Sequence, residues 1–263
     1  MRLPAFYQFN RKINKIIRNF IIRPFLKLTY SLYYRNLAPS NKMIWINPWK
    51  DIHGFYRAKK EFVFEGQVKG GDWGKKTFTV RNRKIVSKKE FENRIFKVPK
   101  SGMKFKGLIE RYKQNKPWCN TALFKEWYLQ DLDRTLKTRR CRNLDELELH
   151  YETRYDRLFG NIKERGVLPS CTVSGISPLY LCIGPEGQIF HYSGSHRLFM
   201  AMILEIERIP YKVLNRHKDW QKKRELILGN PANLNKNNLR EFANHPDLID
   251  ELTPVISISS TSP

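Results

Sequence analysis

Acidic side chains are missing from the start of the chain. The first is Asp51, and before it stand Arg2, Arg11, Lys12, Lys15, Arg18, Arg23, Lys27, Arg35, Lys42 and Lys50. The shortage persists through the first half: residues 1–118 hold 29 Lys/Arg against 7 Asp/Glu, a net of +22, whereas residues 119–263 hold 20 against 18, a net of +2. Cysteine is scarce too, with four residues at 119, 141, 171 and 182 and no Cys-x-x-Cys pair. That spacing excludes zinc-ribbon and thioredoxin-type sites, and without a secretory signal the default setting is reducing and cytoplasmic. Long apolar runs are absent as well. The longest uncharged stretches of the N-terminal arm, 3–10 and 28–34, fall well short of the ~18–20 residues of a membrane span. What is present suffices for a core: 41% hydrophobic and 13% aromatic residues exclude wholesale disorder, and 263 residues suit one elaborated domain or two small ones.

The confinement of positive charge to one half predicts an anionic partner for that half, either DNA or RNA or an anionic membrane surface. Ile13, Ile16, Ile17, Phe20 and Ile21 recur at helical spacing, and Pro24 suits the first turn of a second helical stretch. Residues 1–35 thus read as an interfacial helix that makes peripheral membrane contact or as a helix docked on the protein's own core; the lack of acids also suits a transit peptide. Residues 1–42 form a basic, amphipathic helical extension on this reading.

Residues 43–252 read as the main domain and 253–263 as a disordered tail. Strands are expected at 43–46, before Asn47-Pro48, and at 62–64, before the cluster Gly70-Gly71-Asp72-Trp73-Gly74. Residues 75–106 are read as a basic insertion, hairpin-like or a loop, and 104–135 as helical. In the second half Asn143 is an N-cap for a helix whose face of Leu147, Tyr151, Tyr155, Leu158 and Ile162 ends at Gly166. Then follow a strand at 179–183, the turn Gly184-Pro185-Glu186-Gly187, a strand at 188–192, a helix opened by Gly194-Ser195-His196-Arg197, and a strand beginning Ile209-Pro210. Basic helices are expected at 217–228 and 238–252.

The order helix, Gly-Val-x-Pro, strand, Gly turn, strand, Gly-x-His-Arg, helix, Ile-Pro, strand over residues 147–214 resembles the ParB/sulfiredoxin superfamily. There the helix opens on Gly-x-x-Arg followed by alanine; here it reads Gly194-Ser195-His196-Arg197-Leu198-Phe199-Met200-Ala201. The resemblance covers about a quarter of the chain and implies an α+β fold with a mixed sheet and packed helices. It also implies a site for a nucleoside triphosphate with magnesium, serving a nucleotide-dependent phosphotransferase or NTPase. The departures are specific. Sulfiredoxins carry a cysteine immediately before the His-Arg pair, where this chain has Ser195, so their sulfinic-acid chemistry is unsupported. Nucleotide-switching ParB proteins carry an acid in the motif that is missing here, and the 49 residues after Leu214 leave little room for their helix-turn-helix reader.

The chemistry of the turn stands without the resemblance. A glycine between strand and helix lets backbone N–H groups approach a phosphate, Arg197 can grip two of its oxygens, and His196 can donate or accept near neutral pH. The bland alternative is that Arg197 and His196 only tie the helix to neighbouring carbonyls. Asp72 is a candidate base or magnesium ligand, or an ordinary Gly-Asp turn. Arg216 and His217 follow the next strand, where a parallel neighbour would bring them beside Gly194; Arg216 would then add to the phosphate site and His217 to catalysis. Trp220 either stacks on a base or fills the core. His53, His150 and His245 stand singly, and the five-residue spacing of His191 and His196 suits no zinc site, so no metal-ligand set is expected in the protein itself. A nucleic-acid-binding protein or ParB-like nuclease using the basic half is the alternative function.

Overall fold

The computed structural model describes residues 42–56, 65–81, 87–169, 177–230 and 239–252, with the single positions 24, 28, 34, 36, 38, 232 and 233. The helical extension expected over 1–42, the strand expected at 62–64 and the tail at 253–263 therefore lie outside the described residues, nearly in full for the first. The protein is of mixed α and β composition. Among the described residues seven strands form one mixed sheet: β1 (Met43–Ile46), β2 (Ile52–Tyr56), β3 (Gln67–Lys69), β4 (Thr77–Thr79), β5 (Tyr180–Ile183), β6 (Ile189–Ser193) and β7 (Ile209–His217). Their order is β1-β7-β5-β6-β2-β4. The outer edge of β7 is shared. β1 runs antiparallel to its first half, with Met43 opposite Lys212 and Ile46 opposite Ile209, and β3 runs parallel to its last residues, with Gln67 opposite Asn215 and Lys69 opposite His217.

β7 is longer than its apolar run, continuing through Asn215-Arg216-His217 because β3 supplies backbone partners for these polar residues. The β5–β6 hairpin closes on Gly187, whose φ of 78° suits the turn, and its Gly184 N–H donates to Gln188 O at 2.8 Å. Among the described residues there are seven α-helices: α1 (Lys88–Phe96), α2 (Ser101–Tyr112), α3 (Leu132–Arg139), α4 (Leu144–Tyr151), α5 (Arg157–Arg165), α6 (Ser195–Ile203) and α7 (Lys218–Gly229). Asn143 caps α4 by accepting from Glu146 N at 2.9 Å, and Gly166 ends α5 at a φ of 70°. α6 is apolar nearly all round, and Leu198, Phe199, Met200, Ala201 and Met202 are all buried. Each large one contributes about 1.5–3 kcal/mol through removal from water. Such a helix belongs in the middle of the core.

Three expectations need correction. Beyond β4, the described part of 75–106 is neither a hairpin nor a basic loop. It consists of α1 and the start of α2, and Phe91, Ile95 and Phe105 are core residues while the lysines between them face out. The helix expected over 104–135 stops at Tyr112; Asn115 takes a φ of 54°, Pro117 follows, and a 3-10 turn (Trp118–Asn120) and a π-helical stretch (Leu123–Tyr128) lead on. Residues 239–252 are a 3-10 turn (Arg240–Phe242), further turns and an α-helical segment at 249–252 rather than one regular helix. Those turns place Asp247 against Arg216 and Trp220.

Candidate functional site

The strand-to-helix turn behaves as its sequence suggests. β6 ends at Ser193, Gly194 adopts a φ of 94°, and α6 starts at Ser195. A side chain at position 194 would meet Leu179 Cδ2 at 2.2 Å, so only glycine fits both the angle and the space. Glycine provides no side-chain cap, which leaves the first-turn N–H groups of α6 for a ligand.

In front of this turn lies a cavity of about 440 Å³ lined by Phe55, Tyr56, Tyr192, His191, Ser195, Val98, Pro99, Lys100, Ser101 and Lys104. Two helix starts meet there, since Ser101 is the first residue of α2 and Ser195 the first of α6. Both macrodipoles direct their positive ends toward the cavity, and Lys100 and Lys104 add full charges. Lys100 stands at the corner between α1 and α2 with φ 63° and ψ −39°, a conformation that costs a non-glycine residue about 1–3 kcal/mol. Gly102 keeps that corner tight, because a Cβ there would stand 2.2 Å from Phe96 O.

His191 joins the cavity to the interior. Its Nε2 lies 3.0 Å from Ser195 Oγ and its Nδ1 lies 2.8 Å from the hydroxyl of Tyr211 on β7. Phe55 and Tyr211 meet the imidazole edge-on, at 5.6 Å and 5.9 Å between centroids, so the ring is held in place. Burial pushes the Tyr211 phenol far above its ordinary value, although Arg197 nearby pulls the other way.

The residues expected to share one site divide into two groups. Gly194 and Ser195 are at the cavity. Arg197 points back from it, its Nη2 donating to Pro178 O at 3.3 Å beneath Gly194, and burial lowers its guanidinium below the ordinary value. His196 packs on Tyr155 with 4.6 Å between rings, and its Nε2 is shielded without a partner. Burial, reinforced by Lys104, Arg139 and Arg154, lowers the pKa of His196 to about 3, so it is neutral at pH 7. The second group is elsewhere. β7 runs parallel to β5 and β5 antiparallel to β6, so the C-terminal ends of β7 and β6 lie at opposite ends of the sheet. Arg216 and His217 are therefore not beside Gly194.

Each residue of that second group has a structural task. Arg216 is fully buried on Asp247, Nε donating to Oδ2 at 2.9 Å and Nη2 to Oδ1 at 2.5 Å. His217 caps α7, its Nδ1 accepting from Asp219 N at 3.2 Å while Nε2 donates to Gly71 O at 3.0 Å, so both ring nitrogens are engaged. Asp72 is exposed, next to Trp73, whose ring lies 5.3 Å from both His217 and Tyr56 and so separates the loop from the cavity. Trp220 is core, donating to Asp247 Oδ2 at 3.0 Å.

Lys100, Ser101, Lys104, His191 and Tyr211 were not among the expected site residues. The signal for His191 was available: strand alternation puts 191 and 193 on one face, and a tight glycine turn folds residue 195 back over that face. Nothing local marks Lys100 or Lys104, which reach the cavity only through the docking of α2. Among the described residues that line the cavity there is no carboxylate, so these side chains alone offer magnesium no anionic ligand. Among the described residues no cluster of three or more His, Cys, Asp or Glu side chains is arranged to hold a metal ion, and no helix is long and apolar enough to cross a membrane.

Two buried histidines predict acid sensitivity. His245, with Nε2 donating to Gly187 O, is lowered to about 4 by burial, and His196 to about 3. Both depart downward from 6.5, so below pH 6.5 the unfolded chain binds more protons than the native one. Their stabilisation is complete above pH 6.5 and declines as pH falls toward 4. The expected slope is up to about 1.4 kcal/mol per pH unit for each histidine. Urea unfolding at pH 7, 5.5 and 4.5 measures it, and a flat profile would contradict the placement of both rings.

The fold and cavity define a class: an α+β domain with a mixed sheet and a polar, cation-lined site at a strand–glycine–helix turn. A scan of protein-family models gives no match to the chain, and neither curated proteins nor solved structures give a significant one.

Proposed function

We propose that the cavity binds the phosphate of a small phosphorylated ligand, a nucleotide in the first instance, and that the domain is a ParB/sulfiredoxin-like nucleotide- or phosphate-binding module. The observation that carries this reading is the convergence of two helix N-termini with Lys100 and Lys104 on one cavity. Positive dipole ends, the uncapped N–H donors of α6 and ammonium groups together suit a phosphate, while the first two N–H groups of α2 already donate to Pro99 O and Val98 O. Phe55, Tyr56 and Tyr192 also line the cavity and offer aromatic surface for a base or another flat group, and the volume suits a ligand of nucleotide size. Among the described lining residues charge neutralisation falls to lysine, which suits a mono- or diphosphate.

Thermal unfolding with inorganic phosphate, AMP, CMP, GMP, ATP, CTP and GTP tests the reading. Stabilisation of the wild-type protein by at least one nucleotide is expected, falling as salt rises. Lys100→Gly gives the discriminating result: it relieves the positive φ and raises Tm without ligand, yet shrinks the ligand-induced shift. No stabilisation of the wild-type protein by any of these ligands would remove the proposal. DNA or RNA binding, or contact with an anionic membrane surface through residues 1–35, is a separate question for the +22 half of the chain. Membrane contact through residues 1–35 does not involve Lys100, so this variant separates that contact from the phosphate site.

A further inference from the structure

We propose that Ser195 is a nucleophile that accepts a phosphoryl group from the bound ligand, with His191 as its base and Tyr211 as the positioning residue for His191. The inference rests on the phosphate reading of the cavity and adds a reaction to it. Its basis is a chain of three side chains from three places in the sheet and helix layer. Ser195 Oγ, on the cavity wall, is 3.0 Å from His191 Nε2, and His191 Nδ1 is 2.8 Å from the Tyr211 hydroxyl. A hydroxyl within reach of an imidazole that is itself oriented by a third group is the arrangement that activates serine nucleophiles, and a neutral third group can serve in place of a carboxylate.

Two further features point the same way. In the tautomer whose Nδ1–H donates to the Tyr211 oxygen, the Nε2 lone pair faces Ser195. The uncapped N–H groups of the first turn of α6, next to Ser195, lie where negative charge would develop on the transferring group, with Lys100 and Lys104 across the cavity.

The step balances without a redox partner. Ser195 Oγ bonds to phosphorus as the P–O bond to the leaving alcohol breaks; the serine proton passes to His191 Nε2 and from there to the departing oxygen. Water then attacks the phosphoserine, gives its proton to Nε2, and breaks the P–O bond to Ser195, which recovers that proton and releases inorganic phosphate. An acceptor alcohol in place of water makes the same cycle a phosphotransferase.

The test uses the full chain and para-nitrophenyl phosphate, with acid quench and mass spectrometry. The wild-type protein should release para-nitrophenolate and carry one HPO3 unit on Ser195. Ser195→Ala should lose both while retaining its thermal unfolding profile. His191→Gln should lower turnover on the order of 10²–10⁴-fold. Tyr211→Phe, which keeps the ring, should lower kcat with KM little changed and move the acid limb of the pH–rate profile, which a packing defect alone would not do. Stabilisation of the wild-type protein by inorganic phosphate, measured on the same samples, separates the two readings. Stabilisation without turnover or adduct overturns the nucleophile and leaves the phosphate site. Absence of both removes the phosphate site and the nucleophile together. Turnover unchanged in Ser195→Ala, or an adduct on another residue, also overturns the proposal.

Discussion

Replacing Asp247 by asparagine is expected to cost about 3–5 kcal/mol, the usual result of leaving a buried charge without its counter-charge. Asp247 and Arg216 are both fully buried and meet through two hydrogen bonds, and Trp220 donates to the same carboxylate at 3.0 Å. The backbone carbonyl of Asp247 accepts from Lys42 Nζ at 2.7 Å and from Arg224 Nη1 at 2.8 Å. Burial alone would raise the carboxyl, but Arg216, Arg224 and Lys42 outweigh it and hold Asp247 well below its ordinary 3.8. A depressed carboxyl stabilises above the unfolded value and ceases to do so as pH falls below about 3.8, a window lower than that of the two histidines. Against a total stability of about 5–15 kcal/mol, the loss would leave much of the protein unfolded at 37 °C. Urea unfolding of Asp247→Asn measures it. The double change Asp247→Leu with Arg216→Met should recover most of the loss, because apolar side chains of similar volume leave no charge stranded. A cost below 1 kcal/mol for the single variant would mean that the pair is not buried.

Gly194→Ala is expected to destabilise by about 2–4 kcal/mol, combining a left-handed backbone that alanine resists with overpacking against Leu179. The Cβ would stand 2.2 Å from Leu179 Cδ2, on the strand side of the turn, and 3.3 Å from Arg197 Nη2. A rotamer change of Leu179 relieves the contact but not the left-handed angle, and relaxing that angle shifts the start of α6 and takes Ser195 away from His191, so phosphate-induced stabilisation should shrink even in the fraction that folds. Equal ligand shifts in Gly194→Ala and wild type would show that the turn is not the binding element.

Periodicity and turn chemistry made much of the second half legible. Asn143 before two acids, Gly166 after a regular apolar face, and the glycines at 184, 187 and 194 mark element ends by local rules, and the structure places ends there. Strand direction and neighbour order are not local properties. Nothing in Ile209-Pro210-Tyr211 says that β7 runs against β6, and Arg216 and His217 were assigned to the wrong end of the sheet for that reason. The basic stretch before residue 106 misled differently. Its lysines and arginines together outnumber its apolar residues, yet Phe91 and Ile95 stand four apart, which is all that a helix needs to bury one face. The Ser195–His191–Tyr211 chain joins a strand, a helix start and a second strand, and only the alternation along β6 hints at it.

The shared edge of β7 also bears on how the protein is made. β1, β3 and β5 all pair with a strand that ends at His217, and β1 and β3 lie more than 140 positions earlier. Emerging from the ribosome N-terminus first, the chain therefore carries two strands without their partner until most of it has been synthesised. During that interval apolar strand edges are exposed beside the positively charged half, next to ribosomal RNA that is itself polyanionic. Vectorial synthesis thus leaves the first half waiting for the second, and sheet closure is a late, long-range event.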